Sequence, residues 1–231
     1  MVDIHNHILP FVDDGSKSLA DSINLIKDEI KNGIDKIILT PHNKTSHYEA
    51  TKEEILTAFD NLNNEINKNN LKVKTYLGQE VYVDDKFYDK LKDGNFISIN
   101  KTKYILIEFS YYMETDIIWH VDKIIKLGYI PVIAHIERYV YFDWSTLYDL
   151  KMMGALIQVN ASSLAGVSGK RMQDIVLSAI SEGYIDFISS DIHVGRKSFM
   201  KKAYKKVAKS LGKEAAQDVF ELNAIKYFNL D

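Results

Sequence analysis

Apolar runs typical of strands alternate with segments of helical periodicity from one end of the chain to the other. The first apolar run covers residues 2–4. In the segment that follows it, apolar residues recur at steps of four, three and four, as one face of an amphipathic helix requires: Leu19, Ile23, Ile26 and Ile30. A buried strand, KIILT, comes next. This order predicts repeated βα units.

The same alternation continues to the C-terminus, where two helices close the chain. It predicts further strands at residues 36–40, 73–81, 104–109, 130–135, 155–160 and 184–191. The run FISI precedes the turn NKTK and the strand YILIEF follows it, which predicts a local hairpin.

About seven βα units favour a distorted seven-stranded, TIM-barrel-like (β/α) barrel, whose active site lies at the carboxyl ends of the strands. An open doubly wound sheet is the alternative fold. The chain has no glycine-rich nucleotide loop of the GxGxxG or GxxxxGKS type, and this weakens the usual reason for such a sheet.

Composition narrows the class of protein. With 231 residues, 46% of them hydrophobic, we expect residues 1–231 to form a single domain. No uncharged apolar run approaches the roughly 20 residues of a membrane-spanning helix, and the N-terminus lacks the order of a signal peptide, so we expect a cytoplasmic protein without membrane insertion. The net charge of -3 gives no field that would recruit nucleic acid.

Cysteine is absent. This excludes disulfides, thiolate metal sites and a thiolate nucleophile, so a hydrolytic reaction would depend on activated water, and that favours metal ions.

Basic residues concentrate between residues 196 and 209. A solvated helix face is the favoured interpretation, and a docking strip for an acidic or phosphorylated partner is the alternative.

Histidine and acidic residues fall repeatedly at the ends of the predicted strands. His5 and His7 close the first strand and, with period-two spacing, project to one face. Such polar groups would cost several kcal/mol each if buried without partners, and a metal cluster would supply the partners. The other members of this set are His42, Glu80, Glu108, His135, Asp191 and His193.

Two histidines fall outside this set. His47 lies in a polar loop just beyond a strand end, where a surface position or a substrate contact is favoured over metal ligation. His120 lies within DIIWHVDKII and is predicted to pack on a helix face beside Trp119.

These residues form an ordered set of motifs: HNH, DDG, TPH, GQE, IEF, AHIERY and SDIH. In this order the chain resembles, over nearly its whole length, the metal-dependent bacterial protein-tyrosine phosphatases of capsule and exopolysaccharide synthesis. These enzymes belong to the polymerase and histidinol phosphatase (PHP) superfamily. The resemblance implies a barrel of PHP type.

The resemblance also implies a site with three metal ions. One ion would take His5, His7, Glu80 and Asp191. A second would share Glu80 with Glu108 and His135. The third would take Asp14, His42 and His193. Because an aspartate before glycine is usually a turn residue, the sequence alone does not choose Asp14 over Asp13, and only the match to the second Asp of DDG favours Asp14.

Arg138 and Arg196 match arginines that contact the substrate phosphate in this family, and a guanidinium can donate two parallel hydrogen bonds to phosphate oxygens. A capping salt bridge for Arg138 and a surface charge for Arg196 are the alternatives.

The chain departs from the family at Asn43, where a second histidine is common, and at Ile136, which replaces a proline. Neither departure removes an implied ligand.

The resemblance implies a manganese enzyme, although zinc, iron or cobalt would also suit imidazole and carboxylate ligands.

The substrate that the resemblance implies is a phosphotyrosine protein, namely a bacterial tyrosine autokinase. The phosphotyrosine would enter through an open mouth that Tyr48, Tyr111, Tyr112 or Tyr139 would line. The alternatives are a small-molecule phosphatase of histidinol-phosphate type and a non-catalytic metal-binding partner of a kinase. A phosphodiesterase or nuclease is disfavoured by the acidic net charge. The oligomeric state is left open.

Overall fold

The computed structural model describes residues 1–231. It contains nine strands: β1 Val2–Asp3, β2 Lys36–Leu39, β3 His42–Asn43, β4 Lys74–Leu77, β5 Glu80–Tyr82, β6 Tyr104–Glu108, β7 Ile130–Ile133, β8 Leu156–Asn160 and β9 Phe187–Ser189. The α-helices are α1 Leu19–Lys31, α2 Lys52–Lys68, α3 Phe87–Lys92, α4 Ile117–Lys126, α5 Leu147–Met152, α6 Ala161–Leu164, α7 Gly169–Ser181, α8 Met200–Leu211, α9 Lys213–Gln217 and α10 Asn223–Phe228. None of the helices is long and apolar enough to cross a membrane.

All strand pairings are parallel, and the strands form two sheets with the orders β1-β2-β4 and β3-β5-β6-β7-β8-β9. An isolated parallel bridge joins Asn6, after β1, to Ile192, after β9. The architecture is therefore mixed α/β, with a curled, half-barrel parallel sheet, and helices join the strands except where β2 leads directly into β3 and β4 into β5. Parallel sheets of this kind gather the carboxyl ends of their strands at one edge.

The predicted count of seven strands differs from the observed nine because two strand segments are interrupted. β2 and β3 are separated at Thr40 and Pro41, and a proline has no N–H to donate to a sheet. Gly78 and Gln79 separate β4 from β5. The backbone stays aligned across both breaks, since the Gly78 N–H donates to Leu39 O (2.9 Å) and the Glu80 N–H to Pro41 O (3.1 Å).

The predicted hairpin before β6 is wrong. Ile99–Lys101 forms a 3-10 turn instead, and Asn100 and Lys101 both have positive φ values, 44° and 59°. Two successive residues in this region end any strand that precedes them. The run FISI therefore leads into β6 as irregular backbone, and β6 pairs only with its parallel neighbours β5 and β7.

Alternate residues of each strand face two separate apolar clusters, as the period of a strand requires. Ile37 and Leu39 belong to a cluster of 44 buried residues shared with the surrounding helices. Ile38 points the other way, into a cluster of 12 buried residues that includes Phe228 near the C-terminus. Burying a side chain such as Phe228 contributes about 1.5–3 kcal/mol. Because both faces of the sheet are buried, the strand ends and the side chains that follow them are held in fixed positions.

Candidate metal centre

The polar residues that follow the strands meet at the carboxyl edge of the sheet. Asn6 fixes the segment between His5 and His7, because its N–H donates to Thr40 Oγ1 (3.0 Å) and its amide donates to Ile38 O (2.9 Å). The two imidazoles on either side of Asn6 therefore enter the site together. Both are completely buried.

A first group of possible ligands contains His5, His7 and Glu80, whose nearest donor atoms all lie within 4.8 Å of one another. Asp191 borders this group, with Oδ1 3.5 Å from His7 Nε2 and 3.9 Å from His5 Nε2. These are the four residues that the sequence assigned to one ion.

A second group contains His7, Asp14, His42 and His193. Asp14 Oδ1 lies 3.6 Å from the Nε2 atoms of both His42 and His193. These three residues were assigned together from the sequence, and the structure adds His7 to their surroundings.

A third group contains His42, Glu80 and Glu108. His135 Nε2 also lies close, 3.0 Å from Glu80 Oε1 and 3.6 Å from Glu108 Oε1. His42 Nδ1 lies 2.9 Å from Glu80 Oε2, so this imidazole borders two of the groups rather than one. All nine residues assigned from the sequence therefore lie in one continuous cluster.

The donor atoms in this cluster have the properties of metal ligands. His5 Nε2, His7 Nε2 and Glu80 Oε2 are buried, and although each lies within 3.4 Å of an oppositely charged group, none makes a hydrogen bond of acceptable geometry. The other ring nitrogen of each histidine is occupied: His5 Nδ1 lies 3.1 Å from Gln158 Oε1 and His7 Nδ1 lies 2.7 Å from Asp13 Oδ2. An imidazole held at one nitrogen and free at the other is the usual state of a metal-ligating histidine. These residues fit a cluster of divalent cations.

The charges of the cluster compensate one another. Burial would lower the pKa of the His5 imidazole, but the neighbouring carboxylates of Glu80 and Asp191 outweigh it and raise that pKa to about 9. Burial opposes the ionised form of Glu80, yet the surrounding histidines keep the pKa of this carboxyl well below its usual range. In the metal-free protein the His5 imidazole therefore holds a proton, which metal binding would displace.

The two aspartates of the DDG motif have different surroundings. Asp13 is buried, and its carboxylate accepts hydrogen bonds from His7 Nδ1, from the Gly15 N–H (2.9 Å) and from the His42 N–H (3.0 Å). Asp14 is more exposed and faces two imidazoles instead. Asp13 thus orients ligands, whereas Asp14 is placed to be one.

Gly15 is required by a close approach of the backbone. A Cβ atom at this position would lie 2.0 Å from His7 O, which no side chain can tolerate. The absence of a side chain lets the DDG loop fold against His7.

Two of the proposed ligands have unusual backbone conformations. His135 has φ 29° and Asp191 has φ 49°, a region that non-glycine residues rarely occupy. Hydrogen bonds hold both backbones, from the His135 N–H to Gln158 Oε1 (2.6 Å) and from the Asp191 N–H to His5 O (2.8 Å). Strain of this kind concentrates at functional sites.

The cluster opens into a cavity of ≈ 250 Å³, the active-site cavity, whose wall includes both predicted arginines, Arg138 and Arg196. Arg138 is held in place, because Nη1 donates to Asp191 Oδ2 (3.0 Å) and its guanidinium lies 4.3 Å from the centre of the Tyr111 ring. Arg196 makes no such ion pair.

Of the aromatic residues considered for the mouth, Tyr48 and Tyr111 line this cavity. Tyr112 is 81% exposed and lies outside its wall, whereas Tyr139 is buried and donates its hydroxyl to Ala134 O (2.9 Å). His47 also lines the cavity, in agreement with a substrate contact.

His120 packs away from the cavity, edge-on to Trp119 and with Nδ1 2.6 Å from the Tyr88 hydroxyl.

Lys44 and Gln158, both near the cluster, were not identified from the sequence, and Asp13 was considered only as an alternative to Asp14. Lys44 lines the cavity, Gln158 contacts the ring of His5 and the backbone of His135, and Asp13 holds His7. The DDG motif offered a signal for Asp13. Gln158 gave none, since it is 153 positions from His5 and only the fold brings the two together.

Comparison with known proteins finds tyrosine phosphatases similar to this chain in sequence and structure. The tyrosine-protein phosphatase YwqE of Bacillus subtilis is 38% identical over 200 residues, which cover 84% of this chain and 77% of that protein. A solved chain from the crystal structures of YwqE and of CpsB from Streptococcus pneumoniae, described as metal-dependent tyrosine phosphatases, has a TM-score of 0.89 at 33% identity and covers 100% of this chain and 96% of its own.

A more distant likeness concerns the fold alone. Histidinol phosphate phosphatase from Lactococcus lactis has a TM-score of 0.62 at 14% identity, with 93% of each chain covered.

The family model described as capsular polysaccharide synthesis, CpsB/CapC, matches residues 1–229. This chain therefore belongs to the CpsB/CapC family.

Proposed function

We propose that residues 1–231 act as a single PHP-type domain that hydrolyses phosphotyrosine with the help of bound metal ions. The observation that carries this proposal is a buried cluster of imidazole and carboxylate atoms without hydrogen-bond partners, opening into a cavity walled by two arginines. The names of the relatives, tyrosine-protein phosphatases, support the choice of substrate.

The nine clustered residues would hold the metal ions: His5, His7, Asp14, His42, Glu80, Glu108, His135, Asp191 and His193. Bound there, the metals would act as Lewis acids toward a phosphoryl oxygen and lower the pKa of the attacking water. We propose manganese as the resident metal. Zinc, iron and cobalt suit the same mixed ligands, and the cavity offers no thiolate that would select a softer ion.

Arg138 and Arg196 would bind the equatorial oxygens of the phosphoryl group. Arg138 is suited to this role because Asp191 and Tyr111 already fix its guanidinium, so little side-chain freedom is lost on binding. Positive charge placed where negative charge develops stabilises the transition state more than the ground state.

Tyr111 would position a ligand rather than act as the general acid. Burial, followed by the charge of Glu108, raises the pKa of its phenol far above the usual range. The hydroxyl therefore stays protonated and donates a hydrogen bond to Glu108 Oε1 (2.5 Å). A tyrosine leaving group has a pKa of about 10, so the reaction places only a modest demand on a general acid.

We further propose that the substrate is a phosphotyrosine of a bacterial tyrosine autokinase of capsule synthesis, and that the encounter takes place in the cytoplasm. The family match and the mouth formed by Tyr48 and Tyr111 support this choice. A phosphotyrosine on a protein must reach the metals from outside, and the cavity is open to it.

The test is phosphate release from a phosphotyrosine peptide, a phosphoserine peptide and histidinol phosphate, by protein stripped of metal and reloaded with manganese or zinc. We expect selective, metal-restored hydrolysis of the phosphotyrosine peptide. Preference for histidinol phosphate would assign the chain to small-molecule metabolism, and no turnover of any substrate would favour a metal-binding partner of a kinase.

Glu80→Gln provides the matched variant, because the replacement keeps the shape and removes the charge that the metals would bind. We expect it to abolish turnover while the circular dichroism spectrum is retained. Glu214→Gln, the same change at an exposed position, is the control and should behave as wild type. Full activity of Glu80→Gln would disprove the proposed site.

A further inference from the structure

A second cavity of ≈ 390 Å³ adjoins the active-site cavity. We call it the flanking cavity. The two share Arg138, Asp191 and Arg196 in their walls. A group bound in the flanking cavity would therefore lie beside a phosphoryl group bound at the metals.

The flanking cavity has an excess of unpaired cations. Of its three basic side chains, Arg138 is paired with Asp191 at 3.0 Å. Arg196 and Lys197 form no ion pair and no side-chain hydrogen bond. Two cations without partners at one wall favour binding of an anion.

The first turn of α7 adds positive potential to the same cavity. Ser168, the N-cap residue, lies in the wall and makes no side-chain hydrogen bond to the helix. The first turn contains no acidic residue, although acidic residues are stabilising there, and Lys170 and Arg171 occupy it instead. A helix of 13 residues with an uncompensated N-terminus attracts negative charge.

Glu137 provides an independent indication that a ligand binds. Glu137 is 8% exposed and lies in the wall of the flanking cavity. Oε1 accepts hydrogen bonds from the Asn160 N–H (2.8 Å) and the Ser163 hydroxyl (2.9 Å), whereas Oε2 has no partner. A buried carboxylate oxygen without a donor is costly, and a ligand that brings an N–H would satisfy it.

We propose that the flanking cavity is a subsite for an anionic side chain next to the phosphotyrosine of the substrate. A backbone N–H of the substrate peptide donates to Glu137 Oε2, and the anionic group lies against Lys197 and the N-terminus of α7. A carboxylate and a phosphate would both satisfy this chemistry. The inference rests on the proposed phosphotyrosine phosphatase function and adds a preference among its substrates.

The test compares kcat/KM for metal-loaded protein on phosphotyrosine peptides of one length whose neighbouring residue is glutamine, glutamate or phosphoserine, placed on each side in turn. On the favoured side, we expect kcat/KM to be about tenfold higher with glutamate than with glutamine, and at least as high with phosphoserine. Acceleration by phosphoserine alone would identify phosphate as the group that binds.

Two variants separate the subsite from general charge effects. Lys197→Gln removes one cation, and Ser168→Asp places a carboxylate at the end of α7 where the substrate anion would lie. We expect both to reduce the tenfold preference to about twofold. Lys201→Gln removes an exposed lysine that lies outside the cavity wall, and should keep the full preference.

Equal kcat/KM for the three peptides in the wild-type protein, or a preference that both variants retain, would overturn the proposal. Hydrolysis of the free phosphotyrosine amino acid reports on the proposed function separately. If neither this amino acid nor any of the phosphotyrosine peptides is hydrolysed, the proposed function fails. Binding of the same peptides, measured by fluorescence anisotropy, then still decides whether the subsite selects an anionic neighbour.

Discussion

Replacing Asp13 by asparagine should weaken metal binding although Asp13 is not one of the proposed ligands. Each of its two carboxylate oxygens accepts hydrogen bonds: Oδ1 from the Gly15 N–H, and Oδ2 from His7 Nδ1 and the His42 N–H. An asparagine has only one acceptor oxygen. Whichever way its amide turns, an N–H group will face another N–H group.

The size of the effect follows from these contacts. If the amide oxygen keeps the bonds to His7 and His42, the Gly15 N–H loses its acceptor; if it turns, His7 is no longer held. Loss of a partner that orients a ligating histidine typically costs 10- to 100-fold in metal affinity, or about 1.4–2.8 kcal/mol. A buried donor left without an acceptor lowers the free energy of unfolding by a further ~1–3 kcal/mol.

The assay is metal affinity measured by competition with a chromophoric chelator, together with the melting temperature of the metal-free protein. Asp28→Asn is the matched control, since Asp28 is exposed on α1 and its carboxylate contacts only Lys31. We expect Asp28→Asn to bind metal as wild type does. Wild-type metal affinity together with an unchanged melting temperature in Asp13→Asn would refute the argument that the Asp13 carboxylate holds both His7 and the Gly15 N–H.

Three further changes test other parts of the structure. Gly15→Ala would bring a Cβ atom to 2.0 Å from His7 O, and should lower both metal content and the free energy of unfolding, the latter by about 1–3 kcal/mol in thermal denaturation; unchanged stability would contradict the close approach. Tyr111→Phe removes the donor to Glu108 Oε1, and should raise the metal concentration needed for half-maximal phosphatase activity; an unchanged requirement would assign the hydroxyl no role at the site. Burial lowers the pKa of the His120 imidazole in the folded protein below its ordinary value of 6.5. As the pH falls through 6.5, His120 therefore takes up a proton in the unfolded chain before it does so in the folded protein, and the folded state loses stability. Between pH 7.5 and 5.5, in chelator, the wild-type melting temperature should therefore fall more than that of His120→Asn, and parallel curves would contradict this.

The order of the strands along the chain and the meeting of the histidine and acidic residues could be predicted because they depend on local patterns. The strand predicted at residues 104–109 is observed as Tyr104–Glu108, and the one at 155–160 as Leu156–Asn160. Parallel strands gather their carboxyl ends, so the histidines and acidic residues placed after successive strands were expected to meet. His5 and Glu80 are distant in sequence, and their side chains lie 3.2 Å apart.

Other features could not be predicted because they depend on contacts distant in sequence or on backbone details. The break between β2 and β3 keeps its alignment through hydrogen bonds from Gly78 and Glu80 on one side and with Asn6 on the other. The run FISI has the composition of a strand, but the positive φ of Asn100 redirects the chain. The sequence alone did not distinguish Asp13 from Asp14, because adjacent residues of one type have the same local pattern, and only the family resemblance favoured Asp14.

The strain and the unsatisfied groups of the site have a common explanation. His135 and Asp191 adopt backbone conformations that cost of order 1–3 kcal/mol each, and the Nε2 atoms of His5 and His7 are buried without partners. Nothing within the apolar core requires these costs, since the strands on either side are regular and well packed. The hydrogen bonds of Gln158 and Asp13 resist relaxation of the same residues. A fold that holds donor atoms in unfavourable positions is organised for a ligand that satisfies them together, and a cluster of cations does so because each cation draws on several of these atoms at once.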